Sequence, residues 1–189
     1  MTVAVLSPKT CRHCGTTFHP QRMMQAVCGP VCAGRKVRAD RLAKVAAERA
    51  MDKDRREKLK TIADRIAEAQ TAFNAYIRLR DRDKGCFVCD RPFLDGVPGR
   101  VQHAGHVRSR GAAGHLRFNE DNCHGECEGC NGPHGAKPHE IKAGAIRRVG
   151  QHIFEALEND NAVWKWNHAE LIEIKRYYKE LSKAMEATA

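Results

Sequence analysis

Two cysteine pairs, Cys86 with Cys89 and Cys127 with Cys130, have the spacing of zinc knuckles, and between them lies His103-Ala-Gly-His106. Four thiolates of this kind hold one tetrahedral zinc, which would pin the two ends of the intervening segment together. The imidazoles of His103 and His106 and the carboxamide of Asn131, directly after Cys130, would then share one site. An unperturbed imidazole titrates near pH ~6.5 and takes a proton from water at neutral pH, which makes His106 the candidate general base. His103 and Asn131 are left as ligands of a divalent cation, with positions open for water and phosphate oxygens, as Mg2+ or Mn2+ requires. Zinc as scaffold, with a harder ion beside a base, is chemistry suited to hydrolysing a phosphodiester. The competing reading makes His103 and His106 extra zinc ligands or ordinary surface histidines, and a complete four-cysteine set weighs against it.

A second four-cysteine set, Cys11, Cys14, Cys28 and Cys32, occupies residues 8–34 together with Pro20 and Gly29-Pro30. It reads as a zinc finger whose metal supplies the folding energy that so few apolar residues cannot. His13 and His19 are then bystanders. The whole chain has 189 residues, nine cysteines, 42% hydrophobic and only 6% aromatic residues, which suits small zinc modules joined to helices better than one large core. Thiolate ligands point to a reducing compartment, and neither a signal-peptide core nor a run of about 18 apolar residues is present. The expectation is a cytoplasmic protein with no membrane association.

The elements that must position these groups follow from patterning. From Gly34 to Arg82 no proline and no further glycine occurs, and Leu59, Ile62, Ile66, Ala69, Phe73, Tyr76 and Ile77 recur at helical spacing. One long helix over 35–82 is predicted, as a packing or dimerisation surface. Net charge is +10, of which residues 1–34 carry +3 and residues 35–82 carry +7. A polyanion would be held there first, although a charge run can also be a solvated face.

Residues 83–137 hold the chemistry. Val101 to Val107 reads as a strand, Ser109 to Gly114 as a small-residue loop, and His115-Leu-Arg-Phe118 as the returning strand of a hairpin. A short helix should start after Cys127. In residues 138–189, one helix is predicted over 139–158 and another from Asn167, whose side chain and Glu170 form a capping box. Trp164 and Trp166 would anchor the turn between them.

Hairpin plus helix around a metal is the layout of the ββα-metal, or HNH, nucleases. The run from Gly105 to Asn119, with Asn122 and Cys127-Glu-Gly-Cys-Asn131, resembles the phage NinG/Rap recombination family, as do the N-terminal finger and the tryptophan-bearing helical tail. The resemblance implies an α+β, zinc-stabilised fold with an HNH-like core and cleavage of Holliday junctions and other branched DNA. The site is also similar to that of the endonuclease VII type of resolvase. That similarity implies His106 as base and His103 and Asn131 as metal ligands, while the wider HNH pattern places Asn122, or else Asn119, to tie the loop beside the base. His103 stands where that type has an aspartate, which would move metal preference toward softer ions. The wider HNH pattern has a histidine at the Asn131 position, leaving His134 in reserve. Arg108, Arg110, His115 and Arg117 flank the base and are the candidate phosphate contacts. A junction cut symmetrically needs two sites, hence a homodimer. A less selective HNH nuclease, and a zinc-dependent DNA-binding protein without catalysis, are the alternatives.

Overall fold

The computed structural model describes residues 6–132 and 135–187. The chain divides into two compact units, Met1–Leu59 and Lys60–Ala189. In the first, β1 (Lys9–Thr10) pairs antiparallel with β2 (Thr17–Phe18), and α1 follows over Pro30–Lys58. Pro30 opens α1, where its fixed φ and missing N–H cost nothing, and this places Cys32 on the first turn. No residue of α1 is buried, and ten Lys/Arg against five Asp/Glu leave it strongly basic.

The single helix predicted over 35–82 is two. α1 ends at Lys58 and α2 runs over Ile62–Asp81. The break has a local cause: Thr61 Oγ1 accepts from the Asp64 backbone N–H at 3.2 Å, and Asp64 Oδ2 accepts from the Thr61 N–H at 2.8 Å. This reciprocal cap starts a helix without proline or glycine.

In the second unit β3 (Gln102–His106) pairs antiparallel with β4 (Cys123–Cys127), opposing His103 to Glu126 and His106 to Cys123. The predicted returning strand His115–Phe118 is instead a 3₁₀ helix over Gly114–Phe118. Leu116 and Phe118 both turn inward, as they would in a strand, so their burial alone does not tell the two conformations apart. The Asn119 side chain accepts from the Asp121 and Asn122 N–H groups and winds the next turn, which delays the return to Cys123.

After β4 come α3 (Glu128–Asn131), α4 (Pro138–Val149), α5 (Gln151–Asn159) and α6 (His168–Ala187). The one helix predicted over 139–158 is therefore α4 and α5, broken at Gly150, whose φ of 87° lies in the left-handed region that glycine tolerates. At the start of α6 the Asn167 capping box forms as predicted, with Glu170 N–H to Asn167 Oδ1 at 3.0 Å.

Two apolar clusters sandwich the ribbon. Phe73 and Ile77 of α2 pack with Leu171 and Tyr178 of α6, and with Phe118 and Cys123. Phe73 meets Tyr178 edge-on at 4.8 Å, Phe118 meets Trp166 at 5.1 Å, and the Trp166 indole donates to the Gly114 carbonyl. Trp166 thus anchors the segment before α6, whereas Trp164 stays 55% exposed. The second cluster joins Cys86, Phe87, Val88 and Cys127 to Ala145 and Phe154. Here α4 approaches so closely that a Cβ on Gly144 would sit 2.3 Å from the Phe87 carbonyl oxygen. Among the described residues no helix is long and apolar enough to cross a membrane.

Candidate functional site

Both four-cysteine sets converge. The four sulfurs of Cys11, Cys14, Cys28 and Cys32, and those of Cys86, Cys89, Cys127 and Cys130, lie within 4.8 Å of one another in each set. Cys14 and Cys28 are 3.7 Å apart and Cys89 and Cys127 3.8 Å. A tetrahedron of Zn–S bonds of about 2.3 Å has edges of about 3.8 Å, so either cluster could hold zinc. The second brings the start of the unit against the end of β4. Arg147 supports its first knuckle by donating to the Phe87 and Val88 carbonyls, and Arg148 donates to the Gly85 carbonyl.

His106 ends β3 with its ring half-buried, 6.3 Å from Phe73. Nε2 lies 3.0 Å from the Arg117 carbonyl oxygen. A carbonyl can only accept, so Nε2 carries the proton, and in the neutral ring Nδ1 keeps a free lone pair. Nδ1 lies 3.7 Å from the sulfur of the buried Cys123. Burial holds the His106 pKa below the ordinary imidazole value, opposed by the Arg117 carbonyl and aided by the Arg110 and Arg117 cations. A neutral imidazole with Nε2 fixed, and Nδ1 facing only the weak S–H donor of Cys123 among the described residues, is equipped to accept a proton.

Asn122, fully buried, holds the segment after the base. Its Oδ1 accepts from the Arg108 N–H at 2.8 Å, and its Nδ2 donates to the Arg108 and Leu116 carbonyls at 3.1 Å. Asn119, the other asparagine of this run, serves the 3₁₀ turn instead.

His103 and His106 do not share a face of β3. Three residues apart on a period-two strand, they point to opposite sides. His106 lies on the side of Cys123, Phe73 and α2, and His103 on the exposed side with Glu126 opposite. Asn131 is exposed on α3, which touches both strands. The single cage of two imidazoles and a carboxamide is thus replaced by two flanks of one ribbon. His134 lies outside the described residues.

Of the four predicted phosphate contacts, two are otherwise engaged. Arg108 donates to the Leu157 carbonyl at 2.8 Å, the Asp160 carbonyl at 2.5 Å and Asn161 Oδ1 at 3.0 Å, tying the loop to the end of α5. His115 Nε2 lies 3.1 Å from both Asp160 O and Asp160 Oδ1. Both are structural because their donors point at the α5 terminus. Among the described residues the Arg117 side chain donates to Gln70 Oε1, at 3.3 Å, and burial followed by Arg110 lowers its pKa. Arg110 is exposed and near enough to influence both Arg117 and His106. These two cations flank the base.

Three buried groups had no role in the sequence reading. His124 Nε2 meets the Asp121 carbonyl at 2.9 Å and Nδ1 lies 3.2 Å from Arg80 Nη2, while burial lowers its pKa to about 4, so it is a neutral structural histidine. Asp81, fully buried, accepts from Arg80, Lys84 and the Gly125 N–H, and these bonds overcome burial to hold its pKa far below the usual carboxylate range. Glu126 is only 5% exposed, with its Oε2 over Gly105, and burial followed by the Cys89 sulfur pushes its pKa up to about 7. Its sequence gave one signal, an acid directly before Cys127; its pairing with His103 required the strand register.

Comparison with known proteins gives one family. The model of the family described as Bacteriophage Lambda NinG protein matches residues 3–187. Protein ninG of Escherichia phage lambda is 32% identical over 186 residues, covering 90% of this chain and 88% of that protein. Protein ninG of Salmonella phage P22 is 32% identical over 186 residues, with 90% and 89% covered. Protein ninG of Escherichia phage 933W is 34% identical over 118 residues, or 62% and 56%. No solved structure matches.

Proposed function

We propose that this chain, which belongs to the NinG family of phage lambda-like proteins, is a metal-dependent DNA endonuclease acting on branched recombination intermediates such as Holliday junctions. The observation that carries the reading is His106: a neutral imidazole locked in its Nε2–H form by the Arg117 carbonyl, beside Arg110 and Arg117, in a loop that Asn122 ties down. His106 Nδ1 takes the proton of the attacking water, and Arg110 and Arg117 hold the phosphate oxygens in line for displacement.

His103 and Asn131 would hold Mg2+ or Mn2+, and the bound ion would offset charge building on the phosphate and the leaving oxygen. An imidazole nitrogen and an amide oxygen suit a divalent ion with several water positions. His103 and the base stand on opposite faces of the ribbon, so the ion and the base would act from its two sides. The two cysteine clusters would each hold a structural zinc. The basic α1, with no buried residue, supplies sequence-independent attraction to the DNA backbone.

The separation of His103 from His106 favours a second reading, a zinc-dependent DNA-binding protein without catalysis. Cleavage of a labelled four-way junction by the zinc-loaded protein, against a matched linear duplex and with Mg2+ or Mn2+, decides. Cutting of the junction that His106→Ala abolishes supports the enzyme, binding without cutting leaves the second reading, and equal cutting of both substrates removes branch selectivity.

A further inference from the structure

We infer that Glu126 supplies the acidic ligand of the cation site, sharing one ion with His103 across the β3–β4 ladder. This deepens the nuclease reading and rests on it for the role of the ion. Metal-dependent phosphodiester cleavage gains from at least one charged, hard oxygen ligand, because a neutral imidazole and a carboxamide alone attract magnesium or manganese weakly. β3 provides none: His103, Ala104, Gly105 and His106 contain no acid.

The carboxylate comes from the partner strand. Glu126 is directly opposed to His103, and opposed residues in an antiparallel pair place their Cβ atoms about 4.5–5.5 Å apart on one face. Its side chain then lies diagonally over Gly105. A Cβ there would fall 1.9 Å from Glu126 Oε2 and 2.9 Å from its Cβ. Gly105 therefore opens the space that the carboxylate fills, beside the residue that carries the base. An acid placed on β3 at this position would occupy the same volume.

Glu126 is also unexplained without a ligand. At 5% exposure it is among the buried charged residues, yet no hydrogen bond or ion pair reaches it among the described residues. Buried carboxylates are ordinarily paired or bound to metal. The contrast is Asp81, equally buried and satisfied by Arg80, Lys84 and the Gly125 N–H. Its cross-strand partner His103 is exposed, which opens this face of the ribbon to solvent.

Mn2+ binding to the zinc-loaded full-length protein, read by electron paramagnetic resonance of the free ion, tests this apart from catalysis. About one Mn2+ per chain beyond the zinc is expected, weakened at least about tenfold by Glu126→Gln with zinc content unchanged, and unaffected by His106→Ala. Wild-type affinity and cleavage in Glu126→Gln would overturn the inference and leave the nuclease reading standing. Mn2+ binding that Glu126→Gln removes, in a wild type that cuts no DNA, would do the reverse. If Glu126→Gln loses its zinc, His103→Ala takes over, and retained Mn2+ affinity there overturns the shared site.

Discussion

The Nε2 atom of His106 lies 3.0 Å from the carbonyl oxygen of Arg117, eleven residues further along the chain. That contact fixes the tautomer, while burial lowers the pKa. Protonation is the loss of the base, so cleavage should survive below the ordinary imidazole midpoint of about 6.5 and decay only as pH falls through the depressed native value. The pH profile of kcat/KM checks this. An acidic limb centred at or above pH ~6.5 would contradict it. His106→Ala should cost about 10²–10⁴-fold in rate, the usual worth of a positioned base.

Arg108 and Arg110 are two residues apart and should behave oppositely. Arg108→Ala strips donors from the Leu157 and Asp160 carbonyls and should lower thermal stability, by about 1–3 kcal/mol. Arg110→Ala, on an exposed side chain, should leave melting unchanged and weaken cleavage or DNA binding. Equal effects of the two in a paired melt and binding titration would remove the distinction.

Asp81→Asn should be among the most damaging single changes outside the cysteines. It leaves Arg80 and Lys84 without their shared carboxylate, and breaking a buried pair costs about 3–5 kcal/mol. Because the native pKa is depressed, the stability from Asp81 is present above its unfolded value of about 3.9 and lost as pH falls through the native one. Urea unfolding should therefore show a steady gap between wild type and Asp81→Asn from pH 7 to about pH 4, narrowing only below that.

Zinc should be found at about two ions per chain by elemental analysis, one for each cysteine set. Cys28→Ser and Cys127→Ser should each remove about one. The first should leave the melting of the unit Lys60–Ala189 in place, whereas the second should abolish it. Loss of both ions from either variant would show that the two sets are not independent.

The legible parts of the fold were those with local chemistry. Cysteine spacing foretold both sulfur clusters, and Asn167 with Glu170 foretold the start of α6. Thr61 and Asp64 also formed a readable cap, yet an uninterrupted apolar period hid the break. His115-Leu-Arg-Phe118 alternates like a strand, and only the bonds of Asn119 and Asn122 make it 3₁₀. Asn122 stood out because its motif is local. Glu126 did not, because its meaning depends on strand register, and Asp81 reads as one more charge in a charged helix until tertiary packing encloses it. Arg108 and His115 looked like phosphate ligands because α5, which occupies them, ends some 45 to 53 residues away.

One further property follows from α1 having no buried residue along its whole length. A helix of 29 residues is about 44 Å long, the axial extent of about thirteen base pairs at 3.4 Å each. On the proposed function, this rod by itself can lie along that length of duplex. Shortening α1 by whole turns should shrink the footprint stepwise while the cut position stays where the ribbon puts it.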